Sequence, residues 1–86
     1  MIDKSNIKKD VLLILQMEFN IDIKVSNLLN ENVFGEKIGI VPRDYLNLIN
    51  LIENKYYISI NGNDIEKYEL KTINQLVDVI FDKLKD

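Results

Sequence analysis

The stretch KIGIVPRDYLNLINLIENKY, Lys37 to Tyr56, decides how the chain folds. An irregular region ends in it at Val41, and an amphipathic run begins at Pro42. Tyr45, Leu48, Ile49, Ile52 and Tyr56 recur at three- and four-residue steps, so they share one face of a helix, with Leu46 and Leu51 at its flanks. Proline suits the first helical position, where its missing N–H costs no hydrogen bond and its fixed φ is already helical. Asp44 follows in the first turn, beside the positive end of the helix dipole. The pattern predicts a helix over residues 42–54.

Towards the C-terminus, Tyr57-Ile58-Ser59-Ile60 alternates like a short extended segment, and Asn61-Gly62-Asn63-Asp64 has the composition of a turn. Asn63 with Glu66 three residues later fits a capping box for a short helix over 64–68. Thr72 and Gln75 fit the same motif at the start of the last helix. There Ile73, Leu76, Val77, Ile80, Phe81 and Leu84 keep helical spacing, and Lys83 and Lys85 stand near the negative end of the dipole.

Towards the N-terminus, Ile7, Val11, Ile14 and Leu15, widened by Leu12, predict a helix over 6–18 capped by Ser5 and closed at Asn20. The connection from Ile23 to Ile40 is long for a compact domain and must be pinned. Val25, Leu28, Leu29, Phe34 and Ile38 are the expected pins, with Gly35 and Gly39 allowing bends. Three main helices, one short third helix and a long first loop make an all-α four-helix bundle, a single domain over 1–86.

Composition narrows the chemistry. A chain of 86 residues buries roughly 60–65% of the surface exposed when unfolded, enough for one small core. Without Cys there is no disulfide framework, thiolate nucleophile or thiolate zinc site. Without His the chain lacks the side chain best suited to proton transfer near neutral pH. An enzyme is therefore not expected, and neither is a metal site. The net charge of −3 is mild and lysine forms no block, so no nucleic-acid partner is expected. Met1 to Ser5 opens no signal peptide, and the longest apolar run, Val11 to Leu15, is far too short to span a bilayer. A soluble, cytoplasmic, monomeric protein is expected, and the bias towards Asn, Ile and Lys suggests an AT-rich bacterial genome.

Taken together, the order of elements resembles an acyl carrier protein over nearly the whole chain. Phe34 followed by Ile38-Gly39-Ile40 is similar to the loop end that precedes the carrier's attachment motif. Asp44, then Ile52-Glu53 and Tyr56, resemble the course of the carrier's second helix, and Leu70-Lys71-Thr72-Ile73 the entry to its last. The resemblance breaks at the attachment motif. Where the family has Asp-Ser-Leu, this chain has Val41-Pro42-Arg43. The serine hydroxyl is the atom that takes phosphopantetheine in the family, and Pro42 has none, so no phosphopantetheine cofactor is expected. Ser5, Ser26, Ser59 and Thr72 lie elsewhere in the predicted topology.

The family's second helix is strongly acidic and docks on basic patches of partner enzymes. Here Arg43 and Lys55 offset Asp44 and Glu53, while Asn47, Asn50 and Asn54 are neutral. Complementary charge chiefly sets encounter rate and partner choice, so enzymes of fatty acid synthesis should recognise this helix poorly. Tyr45 and Leu46 either form an exposed apolar contact or lie against the core or loop. Arg43, Tyr45, Leu46 and Asn50 are the candidate partner-binding residues.

Other signals have plainer readings. Tyr56-Tyr57 has no basic groove around it, so a core tyrosine beside a rim tyrosine explains it better than base stacking. Asn61, Asn63, Asp64 and Glu66 lack the spacing of a calcium loop and fit capping instead. Glu66, Glu69, Asp78 and Asp82 read as a solvated face, with Asp78 and Asp82 repelling weakly across one turn. The leading expectation is a non-carrying, carrier-like module that binds a partner enzyme. Its relatives by resemblance accompany bacterial peptide-maturation systems. The alternative is a genuine acyl or peptidyl carrier with an atypical attachment residue.

Overall fold

The computed structural model describes residues 3–23 and 26–85. The predicted pin Val25 lies outside them. Four helices follow in order: α1, Lys4–Phe19; α2, Pro42–Tyr56; α3, Gly62–Tyr68; and α4, Ile73–Lys85. A 3₁₀ turn, Ser26–Asn30, interrupts the connection between α1 and α2. The fold is all-α, with the short third helix and long first loop of an acyl-carrier layout.

The helix ends follow from local chemistry. α1 begins two residues earlier than the periodicity implies, because Asp3 is its cap. The Asp3 carboxylate accepts from the Ser5 N–H at 2.8 Å, so the predicted cap Ser5 is itself inside the helix. A carboxylate at the helix start also interacts favourably with the dipole, which a hydroxyl does not match. Asn20 closes α1 in the left-handed conformation, φ 56°. α2 runs two residues past the predicted end, to Tyr56, and closes on Tyr57, also left-handed. α3 also starts two residues early. Its box is Asn61 with Asp64, each side chain accepting from the other's N–H, not Asn63 with Glu66. Asp on the third helical position answers Asn61 as well as Glu would, so the Asn63–Glu66 spacing was a decoy. Thr72 and Gln75 form the predicted box at α4: the Thr72 hydroxyl accepts from the Gln75 N–H, and the Gln75 amide oxygen accepts from Thr72 and Lys71.

α4 is the centre of the core. α1, α3 and the 3₁₀ turn all pack against it. Ile73, Leu76, Val77 and Ile80 are buried as their spacing predicts, and so is Val79, which lies off that stripe. Contact on several sides buries more of a helix than one amphipathic face. α1 supplies Ile7, Val11 and Leu15, and α2 supplies Tyr45, Leu48 and Ile52.

The long connection is pinned differently from the expectation. Leu29 is buried and Ile38 packs at the margin of the core, but Phe34 is 41% exposed; Val33 and Ile40 are the buried residues beside it. The reason is main-chain bonding. The Val33 N–H donates to the Lys71 carbonyl at 2.8 Å, and the Ile40 N–H donates to the Val33 carbonyl at 2.9 Å. That register turns Val33 inward and its neighbour Phe34 outward. Gly39 sits at φ 72°, a conformation other residues resist, and its N–H closes a turn onto Gly35. Together these bonds hold the loop end against the α3–α4 connection, and so fix where α2 begins.

Candidate functional site

Two features lie on α2. The first is its N-terminus. Pro42 occupies the first helical turn, and Val41 stands at the cap position without any side-chain hydrogen bond. The Tyr45 N–H donates to the Val41 carbonyl at 3.0 Å, beginning the helical ladder. Val41, Pro42 and Arg43 are all exposed. The proline thus starts the helix and offers no hydroxyl there. Between Ser26 and Ser59 the chain has no serine or threonine. Ser5 lies in the first turn of α1, Ser59 follows α2, and the Thr72 hydroxyl is engaged in capping α4.

The second feature is a cavity of about 510 Å³ between α2 and α3, a volume within the usual range of small-molecule sites. Tyr45, Leu46 and Ile49 line it from α2, Ile65 from α3, Phe34 from the loop and Leu70 from the α3–α4 connection. Its polar lining, Asn50, Glu53, Glu69 and Lys71, includes groups already engaged inside the protein. The Glu53 carboxylate accepts from the Ile60 N–H at 2.8 Å. The Tyr45 hydroxyl donates to the Leu70 carbonyl at 2.6 Å, and burial pushes that phenol up to about 12. It therefore remains a neutral donor across the ordinary pH range. The Phe34 ring meets the Tyr45 ring edge-on, with centroids 5.2 Å apart.

The four candidate partner-binding residues separate. Arg43, Leu46 and Asn50 are exposed on α2, with Leu46 at 64%. Tyr45 is 8% exposed and belongs to the core, so an exposed Tyr45–Leu46 contact is corrected to Leu46 alone. The reason is the carbonyl of Leu70, the buried residue of the α3–α4 connection, which takes the Tyr45 hydroxyl. Sequence reading did not find the cavity. No local signal marked it, because it is a space left between α2 and α3. The Tyr45–Leu70 bond had none, because it depends on an unusual backbone at Leu70.

The other candidates are structural. Tyr56 is half-buried and its hydroxyl donates to Asp10 on α1 at 2.6 Å; burial and that carboxylate raise its pKa. Tyr57 is exposed. Asp78 pairs with Lys4 at 3.0 Å, and Asp82 accepts from the Tyr68 hydroxyl, so the two do not form a free repelling pair. Among the described residues no three carboxylates converge on a metal-sized site, and no helix is long and apolar enough to cross a membrane. Compared with family models, with curated proteins and with solved structures, the chain finds no match.

Proposed function

We propose that this protein is an acyl-carrier-like interaction module that carries no phosphopantetheine and meets a partner enzyme through α2 and the loop before it. The observation that supports this reading is Pro42 at the exposed start of α2, with no serine or threonine between Ser26 and Ser59. Phosphopantetheinylation joins the arm to a hydroxyl oxygen, and an imino acid offers none. The outward side of α2 supports the same reading. Arg43, Leu46, Asn47, Asn50 and Asn54 are exposed, whereas the two acids of the helix, Asp44 and Glu53, are half-buried. A partner reading this face meets one cation, amides and an apolar side chain. Basic docking patches would gain little steering from it. The resemblance to carriers of bacterial peptide-maturation systems makes a peptide-modifying enzyme the proposed partner.

The apolar cavity favours a second reading, a genuine carrier whose attachment residue is atypical, because a tethered apolar chain could rest there. Incubation with coenzyme A and a broad-specificity phosphopantetheinyl transferase, followed by intact-mass measurement, separates the two. The expected result is an unchanged mass. Pro42→Ser should also keep its fold and remain poorly loaded, because Val41 and Arg43 still differ from the attachment motif. A stoichiometric adduct on the natural protein would sink the non-carrying reading. Efficient loading of Pro42→Ser would mean that only the hydroxyl had been lost.

A further inference from the structure

One side of α1 is left uncovered. Lys9, Leu13 and Met17 follow one another at four-residue steps, so they form a single stripe along the helix. All three are exposed, Met17 at 72%. The buried residues of α1, Ile7, Val11 and Leu15, lie on the opposite side of the helix. The stripe is therefore a second apolar face and not an edge of the core.

The end of α2 lies beside it. Asp10, next to Lys9 and one turn before Leu13, accepts from the Tyr56 hydroxyl at 2.6 Å. The following residue, Tyr57, is 93% exposed. It also closes α2 in the left-handed conformation, φ 58°, where glycine would avoid the Cβ clash. A tyrosine there accepts backbone strain and gains no packing in return, so stability does not account for it. Strained residues of this kind cluster at binding sites, and Tyr and Met are both enriched at protein interfaces.

Charge decides what covers this side. Lys9 and Lys55 are exposed, Lys55 with its ammonium over the Tyr56 ring. No ion pair among the described residues engages either of them. Asp10 is half-buried and bonded to Tyr56, and Glu18 stands about 100° further round the helix than Met17. A second copy paired about a two-fold axis would set this patch against itself, bringing lysine towards lysine. An anionic membrane would meet a chain of net charge −3, with two lysines in place of the basic cluster that lipid surfaces require. An acidic amphipathic helix answers both parts of the patch, the apolar stripe and the two cations.

We propose that the Lys9–Leu13–Met17 stripe, with Lys55 and Tyr57, is a docking surface for an acidic amphipathic helix of another protein. The helix covers Leu13, Met17 and Tyr57 with its apolar side chains and pairs its carboxylates with the two lysines. This surface lies at the far end of α2 from Pro42, and it stands whether or not the start of α2 binds a partner enzyme.

The probe is a synthetic amphipathic helical peptide with leucines on one face and glutamates along its borders. Its counterpart carries lysines in place of the glutamates. By fluorescence anisotropy the natural protein should bind the glutamate peptide saturably. It should bind the lysine peptide about tenfold more weakly, the difference made by two exposed ion pairs. The amide resonances of Leu13, Met17 and Tyr57 should shift during the titration. Lys9→Glu with Lys55→Glu should reverse the preference, and binding of the lysine peptide shows in the same experiment that this variant is folded. Leu13→Ser with Met17→Ser should bind neither peptide while keeping the natural circular dichroism. No saturable binding, a preference that does not reverse, unmoved resonances at these residues, or binding retained by the serine variant would each overturn the proposal. So would a dimer of the natural protein that the serine variant dissociates, which assigns the face to a second copy. Binding to phosphatidylserine vesicles that the serine variant loses would assign it to a membrane and overturn the proposal equally.

Discussion

α3 and α4 are consecutive in the chain, pack on each other and are opened by the same kind of capping box, yet they are held by different forces. α4 sinks five side chains, Ile73, Leu76, Val77, Val79 and Ile80, into the core. α3 fully buries none: only Tyr68 packs, half-buried, against the core, and the rest of its hold comes from an ion pair, a phenol–carboxylate bond and its own cap. A helix held by burial is insensitive to small shifts of register or solvent. A helix held by polar contacts depends on a few atoms and on conditions. The cavity lies beside the second kind.

The comparison breaks first, and by most, if burial is not what separates the helices. Ile80 is fully buried and Ile65 about half-exposed. Ile80→Ala should cost about 2–5 kcal/mol, from lost transfer energy and the cavity left behind. Ile65→Ala should cost less than about 1 kcal/mol, as for a surface change. Urea midpoints of the two variants test this directly. Equal losses would mean that α3 contributes to the core as α4 does.

The same contrast explains what the sequence reveals. The last helix was legible because a buried stripe must repeat at 3.6-residue spacing, and Thr72 and Gln75 mark its start unambiguously. Pro42 likewise marks the start of α2 by the geometry of its ring. Where polar atoms decide, several answers fit. Asn61–Asp64 and Asn63–Glu66 are both plausible boxes, and Asp3 and Ser5 are both plausible caps. Side chains at non-helical positions were least legible. Phe34 is larger than Val33, but one main-chain bond to Lys71 chooses which of them turns inward. The cavity was unreadable, because it is a space left between α2 and α3 and no local pattern records it.

Acid should act on the two helices unequally. The Lys83 ammonium, and then the Asn61 N–H, hold the Asp64 carboxyl below its usual range, and the Tyr68 hydroxyl does the same for Asp82. A carboxylate with a depressed folded-state pKa adds stability that is fully present above the unfolded value near 3.8. That stability is lost as pH falls through the lower folded value. The contacts of α3 should therefore be intact above pH 3.8 and fail as pH falls below it through the depressed folded values, while the apolar contacts of α4 do not titrate. The Ile65 and Ile80 methyl resonances report the two helices. Ile65 should shift in acid before the global transition that moves Ile80. Simultaneous movement would mean that α3 and α4 form one cooperative unit. At the alkaline end the sign reverses. Tyr68 is raised to about 12, first by its bond to Asp82, so its contact is complete below pH 10 and is lost as pH rises towards that value.

The smallest effect concerns the positive-φ corner after α3. Glu69 is exposed, caps α3 at φ 65° and makes one long side-chain contact, 3.4 Å from the Gln75 amide. Glycine reaches positive φ without the Cβ clash, which relieves about 1–2 kcal/mol. It also frees the unfolded chain, which takes back about 0.5–1 kcal/mol. Glu69→Gly should therefore stabilise the protein by only about 0.5 kcal/mol, read as a small rise in urea midpoint with unchanged slope. Leu70 shares the positive φ but is buried, so the same replacement there would lose core packing and could not isolate the strain. A clear loss of stability in Glu69→Gly would place the importance of this residue in its side chain and not in its backbone.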